Sequence, residues 1–170
     1  MNKSIALALA LLVGSAACAQ TGGSPIPAFT ATALSGKKVT ADKLIGQPTI
    51  LIVTPSRGAA ADTRQWVSAL RKNIEPGAIR VRDVIAIDLP FFMSEADAIG
   101  RAKQKIPARF YDQTWILAES DLEKALDIPV DSHKAFVMVL NARGEIIARV
   151  EGEPTEARIR EVQSAVQSLK

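Results

Sequence analysis

The run Thr49-Ile50-Leu51-Ile52-Val53-Thr54 is apolar or β-branched at every position, without alternation. That pattern predicts a strand covered on both faces of a sheet. It enters the turn Ser56-Arg57-Gly58-Ala59-Ala60, after which the period changes to that of a helix over residues 60–74. Thr63, Trp66, Val67, Leu70 and Ile74 share its apolar face, Arg64, Arg71 and Lys72 face water, and Pro76-Gly77 ends it. A second apolar strand is expected over residues 84–88. Ser94 with Asp97 resembles a capping box and opens a helix to about residue 105. A short strand follows at 115–118, and Ser120 with Glu123 predicts a capping box for a short helix through Leu126. The end of the chain reads as a hairpin, with strands at 135–140 and 145–151 around the turn Asn141-Ala142-Arg143-Gly144. Thr155 then caps a helix that places Ile159, Val162, Val166 and Leu169 on one face.

Upstream, residues 29–34, the turn at 35–38 and a second short stretch form a predicted hairpin, preceded by a Gly/Ser/Pro-rich extended arm at 20–27. The order β-α-β-α, an insertion, then β-β-α implies an α/β domain with a mixed sheet. A right-handed crossover makes its first part parallel, the late hairpin is antiparallel, and helices cover both faces. Residues 28–170 suit a single domain of ordinary size.

The N-terminus changes the picture of where the domain works. Lys3, the apolar run 5–13 and the small residues 14–19 make up the three parts of a secretory signal peptide, assigned to residues 1–19. The run is too short to span a bilayer, which takes roughly 20 residues, and no later segment qualifies. The chain is therefore expected to be exported, to the periplasm, with no transmembrane segment in its mature form. Two processing routes stand. Ala17-Cys18-Ala19 fits cleavage before Gln20, whereas Ser15-Ala16-Ala17-Cys18 read as a lipobox makes Cys18 a lipidated N-terminus and the protein a membrane-anchored lipoprotein. Ser15 stands where a lipobox usually has a large aliphatic residue. Cys18 is the one cysteine, so no intramolecular disulfide forms and the domain must rely on its core. The formal charge of +3 falls by one when Lys3 is removed, and basic and acidic residues alternate along the chain. That argues against a nucleic-acid footprint or a polybasic membrane patch.

Four stretches carry a family resemblance: PAFTATALSGKKVTADKLIGQP, TILIVT, TWILAESDLEKALDI and AFVMVLNARGEIIARVEG. Together they resemble the thioredoxin-like fold, in particular exported thiol-disulfide oxidoreductases and the alkyl hydroperoxide reductase/thiol-specific antioxidant group. The resemblance implies a three-layer sandwich, with a mixed central sheet, an N-terminal hairpin, and an insertion before the C-terminal hairpin and helix. It also implies a Cys-x-x-Cys motif after the first central strand, where this chain has Arg57-Gly58-Ala59-Ala60. A cis-proline is implied before the closing hairpin, where this chain has Ser132-His133-Lys134-Ala135. Both marks are missing, and thiol exchange needs a thiolate nucleophile.

The vacated turn has chemistry of another kind. A strand-to-helix turn is expected to present free backbone amides, and the helix dipole favours negative charge there. Ser56 offers a hydroxyl, Arg57 a bidentate fork, and Gly58 room for close approach, with His133 and Lys134 expected on the loop opposite. Those five residues form the candidate binding site, for an envelope protein, a peptide or a small anion. A plainer reading makes them helix-start and solvated loop residues. A triad of Ser56, His133 and Asp88 has only its residue types in its favour. One histidine without a nearby cysteine leaves no zinc site of usual composition, and no cofactor or catalytic residue is expected. Phe91, Phe92, Met93, Phe110, Tyr111 and Trp115 bracket the helix at 94–105, either as insertion packing or as an apolar groove. The functional expectation is an exported binding or accessory protein lacking a redox dithiol. Its alternative is a thiol-redox or peroxiredoxin-like oxidoreductase working through Cys18 or a partner thiol.

Overall fold

Alternate side chains of Thr49–Thr54 point to two separate cores, which is why this strand can lie at the middle of the molecule. The structure, a computed structural model, describes residues 23–75, 77–87, 94–129 and 131–169. Its strands are β1 (Ser24–Pro25), β2 (Thr30–Ala33), β3 (Lys38–Thr40), β4 (Thr49–Thr54), β5 (Arg80–Ile87), β6 (Thr114–Ala118), β7 (Phe136–Leu140) and β8 (Glu145–Glu151). Its helices are α1 (Ala60–Asn73), α2 (Glu95–Lys103), α3 (Glu119–Leu126) and α4 (Glu156–Gln167). The assigned signal peptide with Cys18, the first part of the arm, Asp88, and Phe91 to Met93 lie outside the described residues.

The strands form one mixed sheet in the order β1-β8-β7-β4-β5-β6-β2-β3. β4 runs parallel to β5 and β5 to β6, whereas β7 is antiparallel to β4 and β8 to β7. The N-terminal hairpin joins antiparallel through β2 and β6. Leu51 and Val53 pack with Trp115, Leu117, Met138 and the α3 residues Leu122 and Leu126 on one face. Ile50 and Ile52 pack with Trp66 and Leu70 of α1 and Val162 and Val166 of α4 on the other. This is the expected three-layer sandwich, with α1 leaving the sheet directly after its most buried strand.

Three local expectations are corrected. The second parallel strand begins at Arg80, because pairing with β4 starts at Thr49↔Arg80 and the Arg80 guanidinium donates to Thr49 Oγ1 at 2.8 Å. The helix α3 begins at Glu119 and has no side-chain cap on its Ala118 N-cap, so the Ser120/Glu123 box does not form. The arm contributes a strand, β1, paired antiparallel to β8. Pro25 fits there because an edge strand leaves one row of amides unpaired. The Ser94/Asp97 box forms as read, with the Asp97 side chain taking the usual Glu or Gln role.

Candidate functional site

Ser56 leaves β4 in extended conformation and starts the short 3-10 turn Arg57–Ala59 that leads into α1. Its hydroxyl accepts from the Gly58 N–H at 3.1 Å and donates to the Ser132 carbonyl at 2.7 Å. One side chain thus caps the turn and ties it to the loop before β7. At Gly58, a Cβ would lie 2.7 Å from Cγ and 3.0 Å from Cε1 of His133. The imidazole occupies the space that any side chain at position 58 would need. A third tie lies one turn along, where the Asp62 carboxylate accepts from the Ala135 N–H at 3.4 Å.

Behind these contacts the helix is locked to the closing hairpin. The Trp66 indole N–H donates to the Gly152 carbonyl at 2.6 Å, and the Gly152 N–H donates to the Ala135 carbonyl at 2.7 Å. Gly152 has φ +85°, a backbone region that side chains strongly disfavour. Thr63 and Thr54 share a 2.8 Å hydrogen bond between hydroxyls, and the Thr63 hydroxyl also reaches the Ala59 carbonyl. The polar groups under the turn therefore have partners inside the protein.

Beyond the end of β4, Ser56 and Gly58 contact Ser132 and His133, with Arg57 and Lys134 next to them in the chain, but their roles differ from those expected. Ser56 is committed to the turn, and Gly58 serves the approach of His133. The amides of Ala59 and Ala60 donate to the carbonyls of Ser56 and Arg57, so the expectation of a helix start with free amides is corrected for those two. Lys134 Nζ lies 2.8 Å from Glu151, and that hydrogen bond, with the lysine charge, holds the Glu151 carboxyl below its ordinary range. Arg57 is exposed and makes no ion pair among the described residues. The chemistry left to this turn and loop is that of a guanidinium and an imidazole beside a paired lysine.

Other constellations dissolve. The Ser56 hydroxyl points its proton at Ser132 and not at His133, so no nucleophile is activated there. Among the described residues no three potential metal ligands converge and no peptide bond is cis. The aromatic group splits between layers. Trp115 is 2 % exposed and packs edge-on against Phe29, whereas the Phe110 ring lies under the guanidinium groups of Arg71 and Arg109. The contacts of Ser132, Asp62 and Gly152, and the indole hydrogen bond of Trp66, had no signal in the sequence, because they depend on partners tens of residues away.

No protein-family model and no curated protein sequence matches the chain. Solved structures do. The pneumococcal exposed lipoprotein thioredoxin of Streptococcus pneumoniae is 14% identical with a TM-score of 0.57, covering 84% of this chain and 99% of that one. BsSco, of the Sco family of cytochrome c oxidase assembly proteins, is 17% identical with a TM-score of 0.60, over 87% and 96% of the two chains. A thioredoxin-family thiol:disulfide interchange protein of Chlorobium tepidum is 15% identical with a TM-score of 0.55, over 85% and 97%. The chain thus has the thioredoxin-like fold, and at these identities the similarity concerns fold alone. No helix among the described residues is long and apolar enough to cross a membrane.

Proposed function

We propose that this chain is an exported thioredoxin-fold protein without a redox dithiol, acting in the periplasm as a binding or accessory protein. The observation that carries this reading is the turn itself. Arg57 to Ala60 contain no sulfur, and the His133 ring packs where Gly58 leaves room, joined by the Ser56–Ser132 hydrogen bond. A site built for thiol exchange needs an accessible thiolate at this turn. Here the same position is used to fasten the helix start to the opposite loop. Binding then runs along the outer edge of that joint, with Arg57 and His133 facing the ligand, Lys134 beside them, and Ser56 and Gly58 setting the backbone. The ligand is a small anion or a carboxylate of an envelope protein or peptide.

The names of the neighbours favour a second reading, since they include thiol:disulfide interchange proteins. On that reading redox chemistry runs through a partner's thiol or through Cys18 retained as a free thiol, since a lipidated Cys18 is a thioether and has no thiolate to offer. Chemical-shift mapping with sodium acetate and inorganic phosphate tests the binding site. The expected result is movement at Ser56, Arg57, Gly58, His133 and Lys134 that fades with salt, because exposed charges are screened within about 10 Å at 0.1 M. Arg57→Ala is expected to abolish the movement, whereas Arg64→Ala on the exposed face of α1 is not. Silence at all five positions would remove the site.

A further inference from the structure

The alternation of basic and acidic residues along the chain breaks where Arg101, Lys103, Lys105 and Arg109 fall within nine consecutive residues that include no acidic side chain. The fold brings the last turn of α1 to the same place. The Arg71 guanidinium lies 5.7 Å from the centroid of the Phe110 ring and that of Arg109 lies 4.8 Å from it. Lys103 Nζ is 5.4 Å from the centroid of Tyr111, whose hydroxyl donates to the Lys103 carbonyl at 3.1 Å. Two rings side by side in the chain thus hold three cations, from α1, from α2 and from the segment after it. The sequence shows only the second half of this cluster, since Arg71 lies 30 residues before Arg101.

The cluster is set apart by its convergence on two adjacent rings, and its cations lie outside the ion pairs of the described residues. Lys37, Lys38, Lys134, Arg143 and Arg160 each lie within ion-pair distance of a carboxylate. Among the described residues, Arg71, Lys103, Lys105 and Arg109 do not. Asp83 acts on Arg71 from the sheet beneath, but its carboxyl is largely buried and leaves the outward charge uncompensated. Cation–π contacts hold the side chains while their exposed faces remain free. A guanidinium held flat on a ring loses little further entropy when it takes a carboxylate bidentately.

We propose that this cationic surface, built on Phe110 and Tyr111 by Arg71, Lys103 and Arg109, docks an acidic segment of a partner protein. Carboxylates are the fitting ligand because the surface offers planar forks and point charges over rings that are half-buried. Insertion into a lipid surface calls for apolar side chains that stand outward. The exposed large hydrophobic residue among those described is Ile45, which lies beside Gly144 of the closing hairpin. A second copy of this chain is a poor occupant, since its net charge is positive.

The test is binding of a fluorescein-labelled ten-residue poly-glutamate peptide to the purified protein, with phosphatidylglycerol vesicles in parallel. The peptide is expected to bind at low salt and to be released as salt rises. Affinity is expected to fall at least tenfold in the double variant Arg71→Ala/Arg109→Ala. Lys43→Ala/Lys124→Ala, which removes the same charge elsewhere, is expected to change it less than twofold. Arg71 also faces Asp83, so Arg109→Ala and Lys103→Ala singly keep the test alive if the double variant does not fold, each with at least a threefold loss. No peptide binding at low salt, equal losses in the control variant, or binding of the vesicles without the peptide would overturn the proposal.

Discussion

Asp83 is an acid placed where its own charge is costly. It sits in β5 between Ile52 of β4 and Thr114 of β6, its Oδ1 without a hydrogen-bond partner, as is the Oγ1 of Thr114. Burial pushes its carboxyl up from 3.8 to about 6, against the opposing pull of Arg71 on α1 and Arg82 on its own strand. Between those two values the folded protein binds more protons at this site than the unfolded chain. Stability from this group is therefore fully present below pH ~4 and is lost as pH rises through about 6. Asp83→Asn should remove that loss, since an amide carries no charge and can donate to Thr114. The variant is expected to be more stable than the parent at pH 7 by on the order of 2 kcal/mol, and nearly equal to it at pH 4. Urea unfolding at the two pH values measures the difference. An equal gain at both would assign the effect to packing.

At the scale of the element, α3 shows what the chain does when a predicted cap fails. Its N-terminus has no side-chain cap, but its C-terminus is held from the sheet. Arg149 of β8 donates to the carbonyls of Leu126 and Asp127 at 2.9 and 2.8 Å, and its guanidinium lies over the Phe136 ring. Asp127 adopts φ +50°, ending the helix in the left-handed region without a glycine. Arg149→Ala is expected to cost about 1–2 kcal/mol by leaving those carbonyls without a charged donor. Arg149→Lys should recover less than half, because a point charge cannot span both carbonyls as the fork does. Full recovery by lysine in denaturant titrations would show that charge alone is at work. Neither the Arg149 role nor the start of β5 was legible in the sequence. Arg80, Arg82 and Asp83 hide a strand because their polarity masks the pairing with β4. Where the period was strong, in Thr49–Thr54, in the α1 face of Trp66 and Leu70 and in the closing hairpin, the reading and the structure agree.

For the whole molecule, the central feature is a thioredoxin-like architecture in which the turn before α1 is fastened to the loop before β7. The sequence made the missing sulfur and the missing proline plain, and it set the turn of Ser56 to Gly58 opposite the loop of His133 and Lys134. It could not reveal that His133 packs on Gly58 or that Ser132 receives the Ser56 proton, since both contacts link positions more than 70 residues apart. The joint is continued by the Trp66 indole, whose hydrogen bond to the Gly152 carbonyl ties α1 to the closing hairpin. The most direct measurement is insulin reduction by dithiothreitol with and without the purified protein, together with a Cys18→Ser variant. No acceleration over dithiothreitol alone, for either form, is the predicted result. Acceleration that scales with protein and disappears in Cys18→Ser would contradict it, and would make the chain a thiol-redox protein working through its single cysteine.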